Sequence, residues 1–276
     1  MWALAFYDLQ ERRGFLCRDR FGVKPLVYVA DGGMLAFASE VRALTHLGAW
    51  DRTIDPDSVV EHLTFGYIAD PATIYRGARR LPPGHYLTFD HRGATEPRRY
   101  YEFPAPPPLA EHEYDEARRR VRAELGESVV RRKVSDVPIG AFLSGGLDSS
   151  IVVAHLSVAI GRPIKTFSVG FAGQARYDET SFARLVAQRF GTEHHELVLT
   201  ERDVIDAIPA LLDHLGEPFG DSSIIPTSLL SKFAREHVTV ALSGDAGDEL
   251  FGGYWRYLGH ETLDAYQRIP WLLRKG

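Results

Sequence analysis

Apolar positions along this chain follow two rhythms, and the change falls at one place. Up to about residue 102 they come in short runs of extended character, separated by polar and glycine turns. "WALAFYDLQERRGFLCRD" reads as two β runs joined by the polar turn from Gln10 to Gly14. "LVYVADGGMLAFAS" reads as a second pair, joined at Asp31-Gly32-Gly33, where left-handed backbone closes a hairpin. "DPDSVVEHLTFGYI" opens on Asp-Pro and reads as a helix, and "GHYLTFDHRGATEPRRYY" as a last hairpin.

The break is "YEFPAPPPLAEHEYDE", with four prolines between Phe103 and Leu109. Proline favours extended polyproline backbone and forbids a continuing helix or central strand, so residues 103–112 read as a linker between domains 1–102 and 113–276. Beyond it helix and strand alternate. Ala117, Val121, Leu125 and Val129 recur at steps of four, one face of a helix. Then come a strand at 139–143, a helix at 149–160, a strand at 165–170, a helix at 179–190 and a strand at 196–199. Helices near 203–214 and 226–236 lead into a strand at 238–242. That order predicts an α/β class, with a parallel sheet covered by helices on both faces.

Composition narrows the field. The chain has 276 residues, 45% hydrophobic and 25% charged, with a net charge of −5. That length suits two domains, and the charge offers no basic field for nucleic acid or an anionic membrane. The apolar runs are shorter than the roughly 20 residues of a membrane span. The start lacks a basic leader and cleavage site, and the single cysteine, Cys17, cannot form an internal disulfide. These features predict a cytoplasmic protein with no nucleic-acid or membrane partner.

Two glycine turns carry the chemistry. "FLSGGLDSS" and "ALSGDAGDELFGGY" each begin with Ser-Gly directly after a buried strand, and each sets aspartate at a helix start. In an open parallel sheet, ligands bind beyond the carboxyl ends of the strands. Glycine lets the backbone come close to a ligand, and the helix N-terminus by Asp148 offers unpaired N–H groups for phosphate. Asp148 and Asp248 could share a Mg²⁺, which takes one or two carboxylates plus phosphate oxygens. The Gly-Lys-Ser/Thr ending of a Walker loop is absent. A lone Ser-Gly-Gly would be explained as a capped strand–turn–helix junction; the two matched loops together are not.

With these loops in hand, the sequence resembles the glutamine-dependent asparagine synthetase family. "VPIGAFLSGGLDSS" is similar to its pyrophosphatase loop and "LSGDAGDELFGGYWRY" to its second signature. "TFSVGF", "YDETSFARLVAQRFGTEHHEL" and "EPFGDSSIIPTSLLSKFAREHV" follow in the family's order. "RDRFGVKPLVY", "FASEVRAL" and "IYRGARRLPPGHYL" resemble the tail of its glutaminase domain. The resemblance implies a β-rich Ntn-type glutaminase part followed by a pyrophosphatase-loop, adenine nucleotide alpha hydrolase-like domain. It implies ATP-dependent adenylation of aspartate or a related carboxylate, release of pyrophosphate, and displacement of AMP by ammonia from glutamine. Carried over by position, Ser144, Gly145, Gly146, Asp148, Ser149 and Ser150 would cradle the pyrophosphate end of ATP. Phe142 and Leu143 would line the nucleotide pocket, Val169 would lie against adenine, and Ser243 and Gly244 would complete the site. Asp148 and Asp248 would hold Mg²⁺. Asp245 stands where well-known members have a glutamate that manages a proton as ammonia attacks. A homodimer is kept open.

The chain also departs from the family. The family's glutaminase nucleophile is an N-terminal cysteine, whereas this chain begins Met1-Trp2 and "MWALAFYDL" is similar to an interior strand. Cys17 reads as a packed thiol, so no glutaminase nucleophile is expected here. Lys275 reads as a solvated end, and the chain as a fragment lacking the N-terminal part of the glutaminase domain and the C-terminal part of the synthetase domain. His194-His195 reads as a turn entering a strand, "ARRRVR" as a solvated helix face, and Asp178 and Glu179 as a helix start. Asp221-Ser222-Ser223 could face the acid substrate or simply open a helix. Rival readings are a family member that amidates or cyclises another carboxylate, another pyrophosphatase-loop enzyme such as NAD synthetase, and a non-catalytic nucleotide-binding remnant.

Overall fold

In the computed structural model, which describes residues 1–48, 50–105, 114–173, 178–269 and 274, the chain divides into two compact units. Met1–Ala110 and Ala207–Ile225 make the first, Glu111–Asp206 and Pro226–Gly276 the second.

The first unit is built from hairpins. Strands β1 (Ala3–Asp8) and β2 (Arg13–Arg18) pair antiparallel through the predicted turn, as do β3 (Val27–Asp31) and β4 (Met34–Ala38) across Gly32-Gly33. A short helix α1 (Val41–Thr45) follows, then α2 (Pro56–Phe65), whose start is capped by the Asp55 carboxylate accepting from Asp57 N. Proline stands at its first position, as the Asp-Pro start suggests, and left-handed Gly66 ends it. Strands β5 (Arg79–Arg80), β6 (His85–Asp90), β7 (Gly93–Ala94) and β8 (Arg98–Arg99) complete the unit. One sheet runs β1-β2-β6-β7 with β8 beside β6, the other β4-β3-β5. Strand β3 feeds two cores, because alternate side chains leave opposite faces: Val27 and Val29 pack with Val41, Leu44 and Trp50, and Tyr28 with Leu16, Leu81 and Leu87.

A charged pair of neighbours sits among these strands. The buried Arg18 guanidinium donates to the carbonyls of Gly22 (2.9 Å), Lys24 (3.0 Å) and Leu81 (2.8 Å) and to Asp70 Oδ2 (2.8 Å). Asp19 accepts from the backbone N–H of Trp2, Phe21, Val23 and Lys24 at 3.0–3.1 Å. Burial works to raise the Asp19 carboxyl, and the four N–H donors overcome it and hold it below the ordinary range. The later stretch Ala207–Ile225 is tied in by charge and backbone. Glu217 accepts from Arg80 and from Ile74 N, and Gly220 N donates to Gly66 O at 2.9 Å.

The second unit begins with α3 (Tyr114–Arg132) and strand β9 (Ile139–Phe142), followed by α4 (Leu147–Ile160), β10 (Lys165–Phe171), α5 (Thr180–Phe190) and β11 (Glu193–Leu199). Helices α6 (Glu201–Leu215) and α7 (Ile224–Arg235), parts of which count with the first unit, precede β12 (Val240–Leu242), α8 (Gly247–Phe251) and α9 (Trp255–Gln267). The sheet order is β11-β10-β9-β12, all parallel. On one face Ala141 and Leu143 pack with Val129 of α3, Val153 and Leu156 of α4, and Ala183 and Ala187 of α5. On the other, Phe167 packs with Leu230 and Ala234 of α7. This is the predicted α/β class, a β-rich part followed by a parallel sheet with helices on both faces.

Three readings need correction. The strand expected from Glu196 starts at Glu193, so His194 and His195 are strand residues with opposite aspects. His194 is held by Thr166 Oγ1 (2.9 Å) and Ser168 Oγ (3.2 Å), and His195 stacks on His237 at 4.3 Å. Side chains on β10 thus satisfy a polar stretch that reads locally as a turn. On α3 the predicted face is seated only in part: Val129 is buried, Ala117 and Leu125 are half-buried, and Val121 is 41% exposed. Helix α7 begins before Pro226, which stands within the first turn where no N–H bond is required. Most of the proline-rich 103–112 stretch, and Lys275, lie outside the described residues. No helix among the described residues is long and apolar enough to cross a membrane.

Asp19→Asn should lower stability by about 2 kcal/mol, the scale of hydrogen bonds to a charged group. A carboxyl held low in the folded state contributes fully at neutral pH and loses that contribution as pH falls below about 4. Thermal unfolding of both proteins at pH 7 and pH 3 checks this; the gap should narrow at the lower pH.

Candidate functional site

The chain runs β9, β10, β11 outward and then returns to place β12 on the other side of β9. The strand order therefore reverses between β9 and β12, and at such a switch point the loops part to leave a crevice beyond the strand ends. Ala141 is paired with Leu242, so the two glycine turns emerge side by side.

The first turn is wound tightly. Gly145 has φ +88°, and a Cβ there would lie 2.6 Å from Ala183 N and from the Phe182 Cβ, in the first turn of α5. Gly146 is the N-cap of α4, and no side chain caps that helix start. Ser144 Oγ accepts from Gly146 N (3.2 Å) and contacts Ser149 Oγ (3.0 Å), while the Ser149 and Ser150 hydroxyls donate to Gly146 O (3.3 and 2.6 Å). Ser144, Gly145, Gly146, Asp148, Ser149 and Ser150 thus form one small bowl whose floor is a helix N-terminus, the chemistry that suits phosphate.

The second turn leans into the first. A Cβ on Gly244 would lie 2.7 Å from Ser149 N and 3.0 Å from Asp148. A Cβ on Gly247 would overlap the Asp148 carboxylate, and one on Gly253 would overlap that of Asp248. Glycine is required here by close approach. Ser243 Oγ donates to Asp245 Oδ2 at 2.8 Å.

The electrostatics follow from this crowding. Burial, then the nearby charges of Asp248 and Glu249, push the Asp148 carboxyl above the ordinary range. Tyr254 donates to Glu249 Oε1 at 2.8 Å. That hydrogen bond first, with burial and the surrounding negative charge behind it, pushes the Tyr254 phenol up to about 12. Among the described residues no three His, Cys, Asp or Glu side chains converge as a metal-holding group. Two carboxylates completed by phosphate oxygens is the arrangement Mg²⁺ commonly adopts, so Asp148 and Asp248 fit it.

Other candidates fall differently. Leu143 is fully buried in the core and its N–H donates to Phe167 O (2.8 Å), leaving only its carbonyl for a ligand. Phe142 and Val169 pack against the Phe167 cluster. Asp178 accepts from Thr180 N (3.1 Å) at the start of α5, and Asp221 from Ser223 N (2.8 Å), both as helix entries. Burial pushes the Cys17 thiol up, the opposite of an activated nucleophile. Glu249, Tyr254, Gly247 and Gly253 were not singled out by sequence reasoning, although they stand in the quoted second signature. Their spacing within "GDELFGGY" was the available signal.

Asp148→Asn should raise the melting temperature of the ligand-free protein by about 1–3 °C, because it removes a half-buried charge that two neighbours oppose. It should also abolish any further rise that ATP with Mg²⁺, the ligands expected from the sequence, gives the parent. Gly247→Ala should lose that ligand-induced rise as well, but with a lower starting melting temperature. Thermal shift with and without the ligands reads both.

Comparison with known proteins bears on this geometry. Residues 120–275 match the asparagine synthase family and residues 1–101 the glutamine amidotransferase domain. A relative from Methanocaldococcus jannaschii is 38% identical over 99% of this chain and 53% of its own length. Asparagine synthetase (glutamine-hydrolyzing) 1 of Bacillus subtilis is 33% identical over 100% of this chain and 43% of its own. The Penicillium rubens amidase chyE is 27% identical over 92% and 39%. An NH3-dependent NAD synthetase from Campylobacter jejuni superposes with a TM-score of 0.36 at 18% identity, over 49% of this chain and 60% of its own. The chain spans about half the length of the curated relatives it matches. With more than half of its residues matched, including both interlocked glycine turns, this chain belongs to the asparagine synthase family.

Proposed function

We propose that this chain carries the nucleotide-handling core of an ATP-dependent amide ligase of asparagine synthetase type. The observation that supports it most is the seating of the second glycine turn on the first, with Gly244 and Gly247 against Ser149 and Asp148. The division is a glutaminase-type part at 1–102, a linker at 103–112 and an ATP-binding part at 113–276.

In this reading the Ser144–Ser150 bowl and α4 N-terminus receive the β- and γ-phosphoryl groups of ATP, with Ser243 and Gly244 at the rim. Phe142 and Leu143 contribute through backbone, and Val169 backs the adenine side. Asp148 and Asp248 would hold Mg²⁺, which supplies neutralising charge for the departing pyrophosphate. An oxygen of the acid substrate, aspartate in the leading reading, attacks the α-phosphorus, and the bond to the β-phosphoryl group breaks. Ammonia then attacks the acyl carbon, AMP leaves with the bonding electrons, and Asp245 accepts a proton from nitrogen. The ammonia comes from glutamine.

A second reading, that the acid is another carboxylate, draws support from the chyE relative, an amidase by name. The test is pyrophosphate release by the complete gene product with ATP, Mg²⁺ and ammonia across a panel of carboxylic acids. Aspartate should stimulate release by an order of magnitude or more over no acid. Stimulation by a different acid selects the second reading, and ATP binding without release from any acid removes both.

A further inference from the structure

Helix α5 is a wall of the first glycine turn. A Cβ on Gly145 would lie 2.6 Å from both Ala183 N and Phe182 Cβ, so the place of the helix start sets the shape of the turn. Yet α5 is seated by small side chains: its buried residues are Thr180, Ala183 and Ala187. Alanine lets a helix come close to a sheet but offers no side chain to interlock with it. Its start also comes down on β10 at Gly170, where a Cβ would lie 2.8 Å from Thr180 Cγ2 and 3.1 Å from Asp178 Oδ1. Contacts of this kind set how near the helix lies and resist sliding along its axis only weakly.

Arg184, directly after Ala183, supplies a contact with direction. Its Nε and Nη2 donate to Glu196 Oε1 and Oε2, both at 2.7 Å, a two-bond fork from α5 to the edge strand β11. Glu196 is backed in turn. Its Oε1 lies 3.4 Å from His194 Nε2, and the His194 ring is held at both nitrogens by the buried Thr166 and Ser168 of β10. The Arg184 side chain is 59% exposed, and an ion pair so open to water contributes little to stability. What the fork contributes is a fixed distance between β11 and the first turns of α5.

We infer that Arg184 and Glu196 are positioning residues for nucleotide binding, whose fork holds α5 where the Ser144–Ser150 bowl fits the pyrophosphate end of ATP. The assignment rests on the ATP reading proposed above and deepens it. Neither side chain is assigned a contact with ATP; both act through α5 and its contact with Gly145. The His-His-Glu stretch of the sequence thereby gains a role in its third member.

The test uses the complete gene product and its Glu196→Gln, Arg184→Gln and doubly substituted variants, with ATP and Mg²⁺ as the probe in calorimetric titration. Each single variant should bind ATP about threefold or more weakly, and the double variant no more than about twofold weaker than the weaker single, since the two act as a unit. The ligand-free variants should melt no more than about 3 °C below the parent. In pyrophosphate release the KM for ATP should rise in step, and by more than the rate at saturating ATP falls. Glu193→Gln, which removes the 3.7 Å Lys165–Glu193 pair at the other end of β11, should keep the parent's affinity. Smaller losses in the single variants, losses that multiply in the double, a larger drop in melting temperature, a rate loss exceeding the rise in KM, or an equal loss in Glu193→Gln each overturn the assignment. A parent protein that binds no ATP overturns the nucleotide reading, and this role with it; a parent that binds while the variants bind equally well overturns the role of the pair alone.

Discussion

Everything distinctive about the second unit depends on one steric constraint: the backbone of the second glycine turn touches the side chain and backbone of the first. Gly244 and Gly247 reach Ser149 and Asp148 only because neither carries a Cβ. Parallel pairing of β9 with β12 brings the turns abreast, and the glycines let them close. Without that closeness, Asp148 and Asp248 would be two solvated aspartates at the ends of separate strands. With it, their charges oppose each other in a partly buried corner, the condition under which a cation and phosphate become favourable company.

The corner is held at a cost in stability that the rest of the unit bears. Asp148 is kept where its charge is opposed, Tyr254 is drawn into a hydrogen bond with Glu249, and Ala246 adopts a backbone state that suits glycine. Such features cluster where a protein binds or reacts, because selection there acts on geometry before stability. The supporting core is conventional. Leu143, Val153 and Leu156 are fully buried behind the first turn, and Phe167 is packed against α7 on the other face.

The first unit solves a different problem with different chemistry. Its short strands leave loops that must be tied down, and Arg18 and Asp19 do this from adjacent positions, one donating to three carbonyls and a carboxylate, the other accepting four N–H groups. Fully satisfied buried charges of this kind specify one arrangement of the surrounding loops, since any shift leaves a charged group unpaired.

Much of this was legible in the chain itself, because it rests on local rules. Short apolar runs and polar turns marked β1 to β4, Asp55-Pro56 marked the start of α2, and Ser-Gly after each buried strand marked the two turns. Long-range pairing was not legible. His194 and His195 became strand residues because hydroxyls on β10 and a ring on α7's C-terminal side satisfy them. Val121 kept its place in the helical pattern yet stayed exposed, since periodicity records which face could be buried and not what covers it. The sequence by itself determined the element types, the glycine turns and the acidic residues within them, all properties of a few consecutive positions. Tertiary structure alone decided that Gly247 meets Asp148 and that Gly244 meets Ser149. These follow from how close two distant segments come, a distance set by sheet order and packing.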